Sequence, residues 1–249
     1  MNDKMISYTY DGSFEGLLSA IYESYYRHEI PLNILPEESL QIGIFTNDYN
    51  VKTDMVKFHK VYNSIREKIS PLALRNIYYV FISNSNNKEL IIYKYLKLGW
   101  KVGGDIDRLI TDESVLNVRI ISRKVTFECH RFLGLVRFKL MDGDYYYASL
   151  EPDYNIISLL ALHFSKRLSD QRWVIHDLKR KLAVVYDKEG WFLTSIEQPL
   201  GSHLSADEKD FQNLWKLYFK NISIKNRKNP RLQKQYMPVR YWAHLVEME

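Results

Sequence analysis

A single cysteine, Cys129, leaves the chain without any internal disulfide framework and suits a reducing compartment. Ten glycines and seven prolines in 249 residues are too few for a low-complexity chain, and no Gly-, Ser- or Pro-rich linker divides the sequence. Long apolar runs are missing too. The richest, Ile156 to Phe164, has about half of the roughly 20 residues that a membrane span needs. The opening MNDKMISYTYDG has neither the basic start nor the apolar stretch of a secretory signal. These absences predict a soluble, cytoplasmic protein with no membrane partner. The familiar nucleotide and metal signatures are also missing: no Walker loop, GxGxxG, HExxH, CxxC or GxSxG occurs. GWKVGGD has glycines without phosphate-loop spacing, so neither a cofactor nor a metal ion is expected.

What is present is enough apolar sequence, 46% of residues, for one sizeable core or two small ones. Ile6, Tyr8 and Tyr10 alternate with Ser7 and Thr9 as in a strand, and Asp11-Gly12 turns the chain. Ser13 is placed to cap a helix with Phe14, Leu17, Leu18, Ile21, Tyr22 and Tyr25 on its apolar face. Residues 30–50 read as a loop with one short strand at most. A long helix to Ile69 follows, then one started by Ser70-Pro71. A fourth runs from an Asn86 cap to a closing Gly99, and a fifth begins near Ser114.

From Leu135 the period becomes that of strands. Asp142-Gly143 joins a hairpin over 135–150, an apolar helix spans 154–168, and three runs over 172–196 suggest an antiparallel meander. Ser205 to Glu208 has the form of a capping box. The helix it opens is expected to bury Phe211, Leu214, Trp215, Tyr218, Phe219 and Ile222. The fold class is therefore α+β: a helical N-terminal half packed with a mainly antiparallel sheet and helices in the C-terminal half. The chain reads as one unit over 1–249, or as intimate subdomains 1–133 and 134–249.

Charge is unevenly placed. Between Phe211 and Val246 there are eight Lys or Arg and no Asp or Glu, although the whole chain carries only +5. Lys225, Arg227, Lys228, Arg231, Lys234 and Arg240 have no acid beside them in sequence, and Pro230 and Pro238 interrupt regular structure. Such a segment suits a phosphate backbone, with Tyr236, Tyr241 and Trp242 available to stack on bases. Pairing with the acidic first sixty residues, or with an acidic protein, would use the same cations. Among seven histidines, His130, His163 and the pair His176-Asp177 each interrupt apolar sequence. Singly buried, they are structural. Convergent, they would form a cluster for acid–base or phosphate chemistry.

Four stretches, YDGSFEGLLSAIYESY, ECHRFLGLVRF, PDYNIISLLALHFSKRLSDQRWVIHD and KNRKNPRLQKQYMPVRYW, together resemble one bacterial family. It is the "probable DNA metabolism protein" family, a domain of unknown function, and the likeness spans almost the whole chain in order. The resemblance implies association with a radical-SAM protein of DNA repair or modification. In other proteins a similar domain is fused to a uracil-DNA-glycosylase-like one. Its basic motif maps onto Lys225 to Trp242 and its His-Asp motif onto His176-Asp177, here followed by Leu178-Lys179-Arg180 where relatives often have an arginine pair. No catalytic residue is carried over, and neither the glycosylase domain nor a CxxxCxxC cluster is present. The expected role is an accessory protein in DNA metabolism that binds DNA and assists the radical-SAM partner. The alternatives are a nucleic-acid hydrolase using the His/Asp cluster, and a pure protein adaptor.

Overall fold

The computed structural model describes residues 6–39, 47–200, 204–222, 224 and 229–248. The protein is α+β, with helices in both halves, and divides into two compact units, Met1–Val125 and Thr126–Glu249. No helix among the described residues is long and apolar enough to cross a membrane.

In the first unit, β1 (Ile6–Tyr10) is the centre of a three-stranded parallel sheet, between β2 (Pro31–Pro36) and β3 (Asn47–Asn50). All five β1 residues are buried, Ser7 and Thr9 included. A parallel strand is covered on both faces, so alternation there does not mean one wet side. Two strands, each paired with β1, thus occupy a region expected to hold one at most, and Pro31 and Pro36 are tolerated because β2 is an edge strand. The crossover between β1 and β2 is α1 (Phe14–Tyr26), capped as expected by Ser13, whose Oγ accepts the Gly16 N–H at 2.9 Å.

Asp54 caps α2 (Met55–Ser64), which passes into a π-helical turn over Ile65–Ile69. Ser70 then caps α3 (Pro71–Phe81). The next helix, α4 (Lys88–Val102), starts after Asn87, not Asn86, and ends at Gly103, whose φ of 66° favours glycine. Gly99 lies inside α4, where a Cβ would sit 2.6 Å from Ile69 Cδ1, so it serves close packing and not termination. The core of this unit gathers Tyr8, Leu17, Ile65, Ile77, Ile92 and Leu96.

α5 (Glu113–Leu135) leads into the second unit. There β4 (Lys139–Met141), β5 (Tyr145–Leu150), β6 (Trp173–Asp177), β7 (Leu182–Tyr186) and β8 (Trp191–Ser195) lie in sequence order in one sheet. Three of the pairings are antiparallel. β5 and β6 pair in parallel because α6 (Ile157–Arg167) intervenes as a crossover. The hairpin between β4 and β5 has a three-residue loop, with Gly143 at φ 95°. α6 covers the face that carries Trp173, with Phe164 and Trp173 in a T-shaped contact at 6.4 Å. The opposite face carries Met141, Tyr147, Val174 and Ala183.

Two local expectations fail in α7 (Glu208–Ile222). The capping box does not form: Ser205 Oγ is buried with no partner among the described residues, and Glu208 instead accepts the Leu140 N–H at 2.8 Å. Glu208 also holds Gln212 at 2.8 Å, and Trp215 Nε1 donates to Glu247 at 2.9 Å. These polar contacts rotate the helix. Phe211, Leu214, Leu217, Tyr218 and Ile222, four of them expected in the core, are each more than half exposed. Pro230 likewise starts a helix instead of breaking one: α8 (Pro230–Tyr236) has Pro at its first position and Asn229 as its cap.

Leu96 has no solvent exposure in the first unit's core. Leu96→Ala is expected to destabilise that unit by about 2–5 kcal/mol, seen as a lower urea midpoint at unchanged slope.

Candidate nucleic-acid interface

The sites marked in the sequence separate into a buried polar knot and an exposed basic helix. The knot centres on Glu128, on the buried side of α5. Its carboxylate accepts the backbone N–H groups of Asp153 and Tyr154, both at 2.8 Å, and the Tyr241 hydroxyl at 2.6 Å. Tyr241 is 1% exposed and packs edge-on against Phe132 at 4.7 Å. Burial first, then the hydrogen bond to Glu128, raises the Tyr241 phenol well above its ordinary pKa. Arg240 pairs with Asp153 at 2.5 Å and donates to the Tyr241 hydroxyl at 2.9 Å. Tyr241 is therefore a core anchor with no face left for a base, and Arg240 is engaged within the fold.

Asp177 belongs to the same neighbourhood. It is fully buried and pairs with Arg180 at 2.8 Å, while Arg180 also donates to the carbonyls of Pro152 and Asp153. Arg180, not an arginine directly after the His-Asp pair, supplies the cation, and its backbone N–H also donates to Asp177 at 3.2 Å. His176 points to the other face of the sheet. Its Nε2 donates to the Ile196 carbonyl at 3.0 Å, which leaves Nδ1 to accept from the Tyr147 hydroxyl at 2.8 Å. Both ring nitrogens are thus occupied in a neutral imidazole. Burial lowers its pKa below 6.5, against a smaller opposing effect of the Ile196 hydrogen bond and Asp177.

The three histidines do not converge. His163 is half-buried on α6, edge-on to Phe164 at 5.1 Å, beside a shallow hollow with Lys166 and Arg167. Since α6 covers the Trp173 face, His163 and His176 lie on opposite sides of the sheet. His130 is exposed on α5, and Arg131 turns to the Gln235 carbonyl at 2.7 Å. His176 has its own partners, His163 packs on Phe164 and His130 lies in solvent, so nothing draws the three together. Burial, with a smaller effect of Glu128, pushes the nearby Cys129 thiol up to about 11, so it is a poor nucleophile.

The exposed part is α8. Arg231 and Lys234 are exposed on it and form no ion pair among the described residues. Tyr236 is 58% exposed at its end. The helix is held by Arg131 on the Gln235 carbonyl and by Trp242, half-buried, whose Nε1 donates to the Met237 carbonyl at 2.9 Å. Lys225, Arg227 and Lys228 lie outside the described residues. The knot was missed in the sequence because Glu128 looks like a companion of His130. Its signal was an acid on the stripe Val125, Cys129, Phe132, where an unpaired carboxylate is untenable.

The sequence profile of DUF4130, a domain of unknown function, matches residues 86–247, and the chain belongs to that family. Neither a curated protein nor a solved structure matches the chain.

Glu128→Ala would leave two buried amides and a phenol without an acceptor, at about 1–3 kcal/mol each. The second unit is expected to lose at least about 3 kcal/mol in urea unfolding, with Glu128→Gln intermediate. The lowered pKa of His176, and of His244 by burial, makes a pH prediction. Their unfolded forms take up protons from 6.5 downward while the native rings stay neutral, so stability is full above 6.5 and falls as pH drops below it. In an NMR titration both native rings should titrate below 6.5.

Proposed function

We propose that this DUF4130 member is an accessory protein of DNA metabolism, in base-damage repair or modification, that holds nucleic acid for a radical-SAM partner. The observation that carries the DNA-binding part is the isolation of Arg231 and Lys234: exposed, acid-free, and mounted on a helix anchored at its C-terminal end. Cations that serve the fold here, such as Arg180 and Arg240, are paired, whereas these two remain in solvent. Exposed Tyr236 adds a ring for stacking. The DNA-metabolism role and the radical-SAM partner rest on the family resemblance. The outward apolar face of α7 supports a protein partner as well, since patches of that kind mark interaction sites.

The test is a salt titration of duplex DNA binding. Replacing Arg227, Lys228, Arg231 and Lys234 together by Ala should shallow the log–log slope by about 0.9 per lost phosphate contact. Folding should hardly change, because exposed cations contribute about 0–1 kcal/mol each. Equal slopes, or no binding by either protein, would sink the reading. Leu214→Glu with Leu217→Glu should leave that slope intact and abolish co-purification with the radical-SAM protein.

A further inference from the structure

A pocket of 220 Å³ opens in the first unit between the end of α1, α2 and α4. Its walls are aromatic. Tyr22 and Tyr26 stack at 4.1 Å with 24° between planes, and Tyr25 meets Trp100 edge-on at 5.6 Å. Trp100 is fixed in place by its Nε1 hydrogen bond to Ser64 Oγ at 3.1 Å. Tyr25 was expected on the apolar face that packs inward, yet it is 56% exposed, and the neighbouring Tyr26 is 63% exposed. The Lys60 ammonium lies over the Tyr22 ring at 5.6 Å, while the outer surfaces of Tyr25 and Tyr26 are held in order and left in water, an arrangement that lowers the entropy lost when a planar group stacks on them.

The rim is cationic. Lys60 and Lys68 line the pocket, are exposed, and form no ion pair among the described residues. Glu23, on α1, is taken by Lys57 at 2.5 Å. Ser64 and Lys68, four residues apart in a helical stretch, stand on the same wall. Aromatic cages without such lysines bind quaternary ammonium groups, but two ammonium groups here repel a cation and favour an anion. The volume lies below the roughly 300–1,000 Å³ of drug-sized ligand sites, so one planar ring system fits and a dinucleotide does not.

We propose that this pocket receives one unpaired nucleobase of a DNA strand, with Lys60 and Lys68 on the flanking phosphates. The proposal rests on the nucleic-acid reading above and adds the strand form it prefers. It also places a second contact far in sequence from the basic segment.

The experiment uses the full chain and fluorescently labelled oligothymidylate, with an iodouracil-containing version for photocrosslinking. Tyr25→Ala with Tyr26→Ala should weaken binding on the order of tenfold, and Tyr25→Phe with Tyr26→Phe should retain it, since stacking needs the ring and not the hydroxyl. Lys60→Ala and Lys68→Ala should each shallow the salt slope by about 0.7, the single-strand value. Crosslinks should map to Tyr25, Tyr26 or Trp100. Wild-type affinity in the alanine double variant, or crosslinks confined to 225–242, overturns the pocket while leaving the DNA-binding reading standing. An unchanged slope in the basic-segment variant with tenfold loss in the tyrosine variant does the reverse. Thymidine monophosphate competing as well as the oligomer would mean a free-nucleotide pocket and overturn the strand assignment. Failure of the wild type to bind oligothymidylate also overturns it.

Discussion

A carboxylate taken out of water must be met by donors, and Glu128 meets this demand with two backbone amides and a phenol. Much of the second unit follows from that one requirement. The amides belong to Asp153 and Tyr154, so the loop between β5 and α6 is fixed, and with it the crossover that makes β5 and β6 parallel. The phenol belongs to Tyr241, which fastens the C-terminal segment to α5. Arg180 closes the loop from the other side through the Pro152 and Asp153 carbonyls. Residues from four separated stretches of the sequence thus meet in one structural network.

The network divides the basic segment by role. Arg240 and Tyr241 at one end are consumed by it, and Trp242 is tied to the Met237 carbonyl. Arg231, Lys234 and Tyr236 sit on the short helix that these contacts hold outward. Anchor and free surface are therefore neighbours in one stretch of chain, and a charge count alone merges them.

Helix α7 shows polar contacts overruling apolar patterning. Its apolar residues repeat at helical spacing and ought to seek the interior. Glu208 and Trp215 are instead committed to Leu140 and Glu247, and Glu247 is itself gripped by Arg137. Burial would raise the Glu247 pKa, but the Arg137 and Trp215 hydrogen bonds outweigh it and hold the carboxyl below its ordinary value. With Glu208 buried and Trp215 held at the surface by Glu247, the helix is set in a rotation that leaves Phe211, Leu214, Leu217, Tyr218 and Ile222 facing solvent.

The sequence by itself determined what depends on near neighbours along the chain. Ser13 and Ser70 cap the helices they were expected to cap, and the sheet of the second unit falls where the alternating runs placed it. Tertiary structure alone decided the parallel sheet of the first unit, whose pairing joins β1 to strands beyond a helix and a loop. It also decided where each polar side chain found its partner. His163 and His176 are close in sequence and lie on opposite faces of a sheet, whereas Glu128 and Tyr241 are far apart and share a hydrogen bond. Spacing fixes which face of its own element a residue occupies, but a hydrogen bond needs a second element, and only the packed chain supplies it.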